Sequence, residues 1–308
     1  MIQYFKSQNH LFTKAANYEE SDWLHIEEPT KQELKAISDR MEIPFDLLTD
    51  PLDIDENSRI ESEDGILFLI IRVPVFSKLN EIPFTTVPMG IIIAKEKVLT
   101  VAPFNNEILT SFKEGKNRPF PITQQNFILQ IFHRTATWYL KHLKEINRRT
   151  GVIEKELHQS MKNKELLKLL RLEKCLVYFT TSLRSNELAL ERLQRFRWLR
   201  ENEDAVDLLE DVIIENKQAI EMANIYSNIL NGMMDAFSSI ISNNLNIVMK
   251  ILTAVTIVLM IPNLIFGFYG MNVPTPFQHL PWAWWFSIVF SLVLAVLIVI
   301  IFRKRKLF

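Results

Sequence analysis

The sequence predicts an α/β domain followed by long helices and a C-terminal two-helix transmembrane hairpin, and three observations carry that reading. The charges are unevenly placed: of 35 Lys+Arg and 36 Asp+Glu in 308 residues, only Arg303, Lys304, Arg305 and Lys306 follow Lys250. The charge-free interval contains two apolar runs, 251–268 and 282–302. At about 1.5 Å per residue each reaches roughly 30 Å, the thickness of a hydrocarbon core. Over residues 124–249 Gly and Pro are confined to Gly151 and Gly232, while apolar residues such as Leu166, Leu169, Leu170, Leu176 and Leu183 recur at helical spacing.

The first 250 residues carry 31 basic and 36 acidic side chains, a net of −5. That balance excludes a nucleic-acid binder relying on bulk positive charge. The apolar C-terminus excludes a wholly soluble enzyme. Cys175 is the one cysteine, so no intramolecular disulfide forms. The first 20 residues lack the uninterrupted apolar core and cleavage site of a signal peptide, which places the body in the cytosol.

In chain order, residues 1–123 read as the α/β domain. Residues 23–26 are strand-like. The run Pro29-Thr30-Lys31-Gln32-Glu33 reads as a helix start with Thr30 as N-cap and Glu33 at the third position. Residues 65–76 (GILFLIIRVPVF) and 90–101 (GIIIAKEKVLTV) are rich in β-branched and aromatic residues, as strands are. No Gly-rich phosphate loop, Cys/His cluster or nucleophile elbow occurs, so neither an enzyme nor an organic cofactor is expected.

Residues 124–202 read as a helical hairpin, with helices over about 124–160 and 164–199. A stalk helix over 203–246 meets no stop signal before the membrane. Continued to 268 it would be roughly 100 Å long, and helices of that kind associate laterally to bury an apolar stripe. The stalk opens with Glu201, Glu203, Asp204, Asp207, Glu210, Asp211 and Glu215. These form a solvated face or, in a parallel oligomer, stacked carboxylate rings that call for a divalent counter-cation. The basic excess of 124–200 offers ordinary salt-bridge partners for part of them.

The membrane segment divides into span one (247–268), an external loop (269–281) containing Gly270, Pro274, Pro276 and Pro281, span two (282–302), and a basic tail (303–308). The basic tail and the uncharged loop orient the hairpin with the loop outside and both termini cytosolic, in a cell membrane. Trp282, Trp284 and Trp285 fit an interfacial aromatic belt. Span two is almost uniformly apolar. Span one carries Asn246, Met249, Thr253, Thr256, Met260 and Asn263 at steps of 3, 4, 3, 4 and 3, a coiled-coil seam. A mixed stripe without permanent charge is what identical helices around a pore would need, and a pore requires a symmetric oligomer. The same side chains also serve as ordinary interhelical hydrogen bonders in a packed bundle.

Tyr269-Gly270-Met271-Asn272 after span one, together with NIVMKILT (246–253) opening it, resembles the CorA family of magnesium channels. The resemblance is residue by residue over about 244–273 and architectural over the whole chain. It implies a homopentameric funnel with a stalk-helix pore in the lipid bilayer, passing divalent cations. Gly270, Met271 and Asn272 are then the selectivity filter. Asn263, Met260, Thr256, Leu252, Met249 and Asn246 line the pore, with Met249, Leu252 and Met260 as a hydrophobic constriction, and Asp235 forms an acidic ring near the cytosolic mouth. The family further implies regulatory Mg²⁺ between subunits, for which Asp211 on the stalk and Asp50 in FDLLTD (45–50) occupy the matching positions.

The chain departs from the family pattern in places. Pro262 falls one residue later than in many members, Asn263 stands where Thr is common, and the loop after Asn272 has no carboxylate. Its one titratable side chain, His279, reads as a wet interfacial residue. The basic excess of 124–200 also differs from members with acidic helices there. A Co²⁺, Ni²⁺ or Zn²⁺ transporter of the same superfamily is the nearest alternative. Met271 and the absence of His or Cys from the stripe favour magnesium. A non-conducting, membrane-anchored coiled-coil signalling protein is the alternative of another class.

Overall fold

The structure, a computed structural model, describes residues 1–77, 81–114, 122–159, 163–272, 274, 276, 279 and 281–305. The tail beyond Arg305, with Lys306, and loop positions 273, 275, 277, 278 and 280 lie outside the described residues. The chain forms two compact units, Met1–Gly232 and Met233–Phe308.

The first unit begins with a hairpin, β1 (Ile2–Gln8) and β2 (Leu11–Lys14). After β3 (Trp23–Glu27) come α1 (Lys31–Met41), α2 (Phe45–Thr49) and one 3₁₀ turn, Asp50–Leu52. A meander follows: β4 (Arg59–Glu63), β5 (Ile66–Phe76), β6 (Phe84–Ala94) and β7 (Lys97–Ala102). The order is β2-β1-β3-β7-β6-β5-β4, antiparallel except for β3 beside β7. The helices are α3 (Glu107–Lys113), α4 (Gln124–Gln159), α5 (Asn163–Leu193), α6 (Arg197–Arg200), α7 (Glu203–Tyr269) and α8 (Ala283–Lys304).

Local chemistry accounts for the boundaries. Thr30 Oγ1 accepts from Glu33 N, and Glu33 Oε2 accepts from Thr30 N at 2.8 Å, a reciprocal capping box that starts α1. The stretch 90–101, strand-like by composition, holds the end of one strand and most of the next. Lys95 and Glu96 take left-handed φ values of 47° and 63°, the paired positive angles of a two-residue hairpin that reverses β6 into β7. Asn9-His10 and Asp64-Gly65 make the same kind of reversal. Composition misses the Lys-Glu case because neither residue is a usual left-handed turn former. The helix read as 164–199 stops at Leu193 because Phe196 is extended (φ −72°, ψ 127°), and α6 is a separate short turn.

The central strands are buried on both faces, which is why they read as unbroken apolar runs. One face packs Trp23, Leu69, Ile91 and Val98 against Phe127, Ile131 and residues of α5 and α7. The other packs Phe68, Ile70 and Ile92 against Leu34, Ile37 and Leu48 of α1 and α2. On α7 the buried positions Ala205, Leu209, Val212, Asn216, Ala219 and Ala223 step mostly by 3 and 4, the seam that seats this helix on the first core.

A polar network fastens α5 to the sheet. Asn186 Oδ1 accepts from Arg72 N (2.9 Å) and Ser58 Oγ (2.7 Å), and its Nδ2 donates to Arg72 O (2.8 Å). The Arg72 guanidinium donates to the carbonyls of Ile54 (3.0 Å) and Glu56 (2.6 Å). It thereby ties down the loop between the 3₁₀ turn and β4.

In the second unit α7 buries Phe237 and, within the first span, a row made of Ala254 and Ile265 with Val258 and Ile261 half-buried between them. The row repeats at 4, 3 and 4. The other element of this unit is α8, whose buried positions Ser287 and Ser291 are small, as close helix approach in a membrane requires. Both helices are long and apolar enough to cross a membrane.

Candidate functional site

Most of the mixed stripe lies on the other side of α7, with Asn246 and Thr253 at its flank, about 80° and 100° from Ala254. At about 100° per residue, Thr256 lies about 200° and Asn263 about 180° around the helix from Ala254. All six stripe residues are exposed, and so is Leu252; Met249, Leu252 and Met260 are 51%, 58% and 63% accessible. The face bearing Leu252, Thr256, Met260 and Asn263 is therefore open, while Asn246, Met249 and Thr253 border a cleft that Phe302 of α8 also lines.

The threonines on that face are oriented by their own helix. Thr253 Oγ1 donates to Met249 O and Thr256 Oγ1 to Leu252 O, both at 2.8 Å. With the hydroxyl proton spent inside the helix, the oxygen lone pairs point outward as acceptors. A row of acceptors is what the waters of a hydrated cation bond to. Pro262 offers no N–H to the carbonyl of Val258, yet α7 continues through it to Tyr269.

The outer end of the stripe is the C-terminus of α7. Gly270 N donates to Phe266 O at 2.9 Å and closes the last turn. A Cβ on Gly270 would stand 3.1 Å from that carbonyl, so the residue is small where the chain leaves the helix. The terminal carbonyls carry the negative end of the helix dipole next to Met271 and Asn272, which are both exposed. A cation is favoured at that end, and the amide oxygen of Asn272 adds a neutral acceptor. Asp235 is exposed at the other end of the stripe, in the same unit. His279 is exposed in the loop.

The two carboxylates matched to an inter-subunit metal site lie in the first unit. Asp211 is exposed on α7, and among the described residues none of Glu203, Asp204, Asp207, Glu210 and Asp211 makes an ion pair. Two of the seven stalk acids are paired: Glu215 with His133 (3.2 Å) and Thr137, and Glu201 with Arg197 (3.0 Å). The basic residues of α4 and α5 bond elsewhere, Arg148 and Arg149 to Glu145 and Lys168 to Glu156. Among the described residues they make no ion pair with Glu203, Asp204, Asp207, Glu210 or Asp211. Among the described residues no three His, Cys, Asp or Glu side chains of one chain converge as a metal cluster.

Asp50 opens the 3₁₀ turn and is half-buried. Its Oδ2 accepts from Arg59 Nη2 at 2.5 Å. The same guanidinium donates to Glu56 and, through Nε, to Glu61 at 2.7 Å. Partial burial opposes the Arg59 charge, but the hydrogen bond to Asp50 and the charges of Glu56 and Glu61 outweigh it and raise the pKa. Arg59 matches no ligand or pore motif. The available signal was charge pattern: it is the lone basic residue between positions 41 and 71, among nine carboxylates.

Residues 18–304 match the family described as CorA-like Mg²⁺ transporter protein. A cobalt/magnesium transport protein CorA of Methanocaldococcus jannaschii is 27% identical over 288 residues, covering 92% of this chain and 90% of that protein. Its counterpart from Thermotoga maritima is 23% identical over 270 residues, 84% of this chain and 75% of that one. The complete structure of the CorA magnesium transporter from Methanocaldococcus jannaschii matches with a TM-score of 0.85 at 26% identity, over 99% of this chain and 98% of that chain. With two apolar helices at its C-terminal end and a match that spans nearly its whole length, this membrane protein of two spans belongs to the CorA-like Mg²⁺ transporter family.

Proposed function

We propose that the chain is one subunit of a homopentameric channel for passive Mg²⁺ entry, with both termini cytoplasmic, an external Gly270-Met271-Asn272 filter and closure governed by cytosolic Mg²⁺. The observation that carries this is the open stripe of α7 opposite its covered face, ending at Asn272. A single hairpin cannot enclose a pathway, whereas several copies turning this face to one axis can.

Mg²⁺ gives up its inner waters reluctantly and keeps octahedral geometry. A ring of neutral Asn272 amide oxygens, backed by the carbonyl end of each α7, accepts hydrogen bonds from those waters and holds the hydrated ion without stripping it. Below the filter Asn263 and Thr256 offer further acceptors. Met260, Leu252 and Met249 form an apolar collar that closes by dewetting when it narrows. Asp235 draws cations at the inner mouth. Two charges moving inward gain about 4.6 kcal/mol at 100 mV, from about 2.3 per charge, so no nucleotide is needed.

Regulation follows from the unpaired stalk acids. Mg²⁺ between Asp211 of one subunit and Asp50 of the next offsets carboxylate repulsion and holds the ring closed, and its loss at low cytosolic Mg²⁺ frees the α7 helices to move. The relatives' names add cobalt as a second cargo, which fits an oxygen-only filter without His or Cys.

The test is Mg²⁺ uptake into liposomes containing the purified protein, wild type and Asn272→Ala. Uptake is expected to fall in the variant by an order of magnitude or more. Equal uptake in both rejects the filter.

A further inference from the structure

Arg59 commits its whole fork to three carboxylates, Asp50, Glu56 and Glu61. The guanidinium carbon lies 5.3 Å from the Phe68 ring centroid, and the side chain is 25% exposed. Its base is fixed at the start of β4. The loop from Asp53 to Ser58 is fixed in turn by Arg72 on the carbonyls of Ile54 and Glu56, and by Asn186 on Ser58. The positive charge is therefore held in place beside Asp50. Asp50 Oδ1 keeps no hydrogen-bond partner among the described residues, so one oxygen of the carboxylate is taken and the other is open.

We propose that Arg59 is a tethered counter-ion for Asp50 and sets the cytosolic Mg²⁺ concentration at which the channel closes; this rests on the reading that Asp50 and Asp211 share a regulatory Mg²⁺. The physical reason is direct competition. A hydrated Mg²⁺ reaches a carboxylate through its waters; at Oδ2 those waters compete with the Arg59 Nη2 hydrogen bond, so that Oδ1 alone is freely offered. The ion also meets a like charge at hydrogen-bonding distance from its ligand. Glu56 and Glu61 enter the same balance because they share the guanidinium. The more firmly they hold it, the freer Asp50 is to take the metal. Such an arrangement keeps Asp50 occupied within its own chain when Mg²⁺ is scarce, leaves the repulsion that opens the ring to the unpaired stalk acids, and raises the concentration needed to fill the site.

The experiment measures Mg²⁺ flux through the full-length protein in liposomes while free Mg²⁺ is varied on the face bearing the soluble unit. The readout is the midpoint of closure. Arg59→Met is expected to lower the midpoint about tenfold, which is about 1.4 kcal/mol. Glu56→Gln, which leaves Arg59 more fully on Asp50 and removes a neighbouring negative charge, is expected to raise it. Asp211→Ala is run beside them. A wild-type midpoint in Asp211→Ala overturns the shared-metal reading and this inference with it. Loss of closure in Asp211→Ala together with an Arg59→Met midpoint within about twofold of wild type, or above it, overturns the role of Arg59 alone. Should Arg59→Met lose its fold by circular dichroism, Glu56→Gln decides: a raised midpoint supports the inference and an unchanged or lowered one overturns it.

Discussion

Gly90, in the middle of β6, lies directly beneath Pro51, and a Cβ built on it would overlap the Pro51 ring. Pro51 is the second residue of the 3₁₀ turn that Asp50 opens, so the backbone of β6 is the floor on which the Asp50 carboxylate is positioned. Gly90→Ala is expected to cost about 1–3 kcal/mol through overpacking. In a unit of this size that lowers the melting temperature by several degrees. Thermal unfolding of the full-length protein in detergent checks it. If Asp50 is a regulatory ligand, the same variant also needs more Mg²⁺ to close.

Asn186 is 1% exposed and makes three hydrogen bonds that join α5 to β5 and to the loop before β4. Asn186→Ala leaves the Arg72 N–H and the half-buried Ser58 hydroxyl without their acceptor, while the Arg72 carbonyl keeps the Tyr139 hydroxyl. A loss of about 2–4 kcal/mol is expected, read from the midpoint of chemical unfolding.

Two histidines make the first unit acid-sensitive. His25 is held down to about 4 by burial and by the Lys113 charge, and His142 to about 4 by burial and by Lys141 and Arg149. Folded, both are neutral well below the ordinary value of 6.5, so between pH 6.5 and 4 the unfolded chain binds more protons. Stability should therefore fall as pH drops through that window, by up to about 3 kcal/mol per histidine. His142→Phe, in a site already bounded by Phe84 and Trp138, should flatten the curve. An unchanged slope rules out His142 as a source.

Leu252 stands open on the stripe face. If closure is by dewetting of an apolar collar, Leu252→Asn wets it. Flux is then expected to persist at cytosolic Mg²⁺ that shuts the wild type, at least about tenfold above its residual level. Closure as complete as in the wild type would place the constriction elsewhere.

Much of the architecture was legible because it is periodic. The absence of charge after Lys250, the near absence of Gly and Pro over 124–249, and the 3-4 stripe on span one are one-dimensional patterns, and helices translate them directly into faces. The capping box at Thr30 and Glu33 was equally readable, since both partners lie within one turn. The β-domain was less so. Strands β1, β2 and β4 are short and mixed in composition, and the Lys95-Glu96 reversal carries no Gly or Asn to announce it.

The candidate site divides along the same line. By itself the sequence determined the two spans, the mixed face of α7, and the Gly270-Met271-Asn272 segment at the end of that helix, because each is a matter of spacing along one chain. Only the tertiary structure decided that most of this face is turned away from the covered one, that five of the seven stalk acids make no ion pair among the described residues, and that Asp50 is already bound to Arg59 nine residues away. Those facts depend on which side chains converge after β4 pairs with β5 and the 3₁₀ turn settles on Gly90. Convergence across strands leaves no periodic trace in the order of residues.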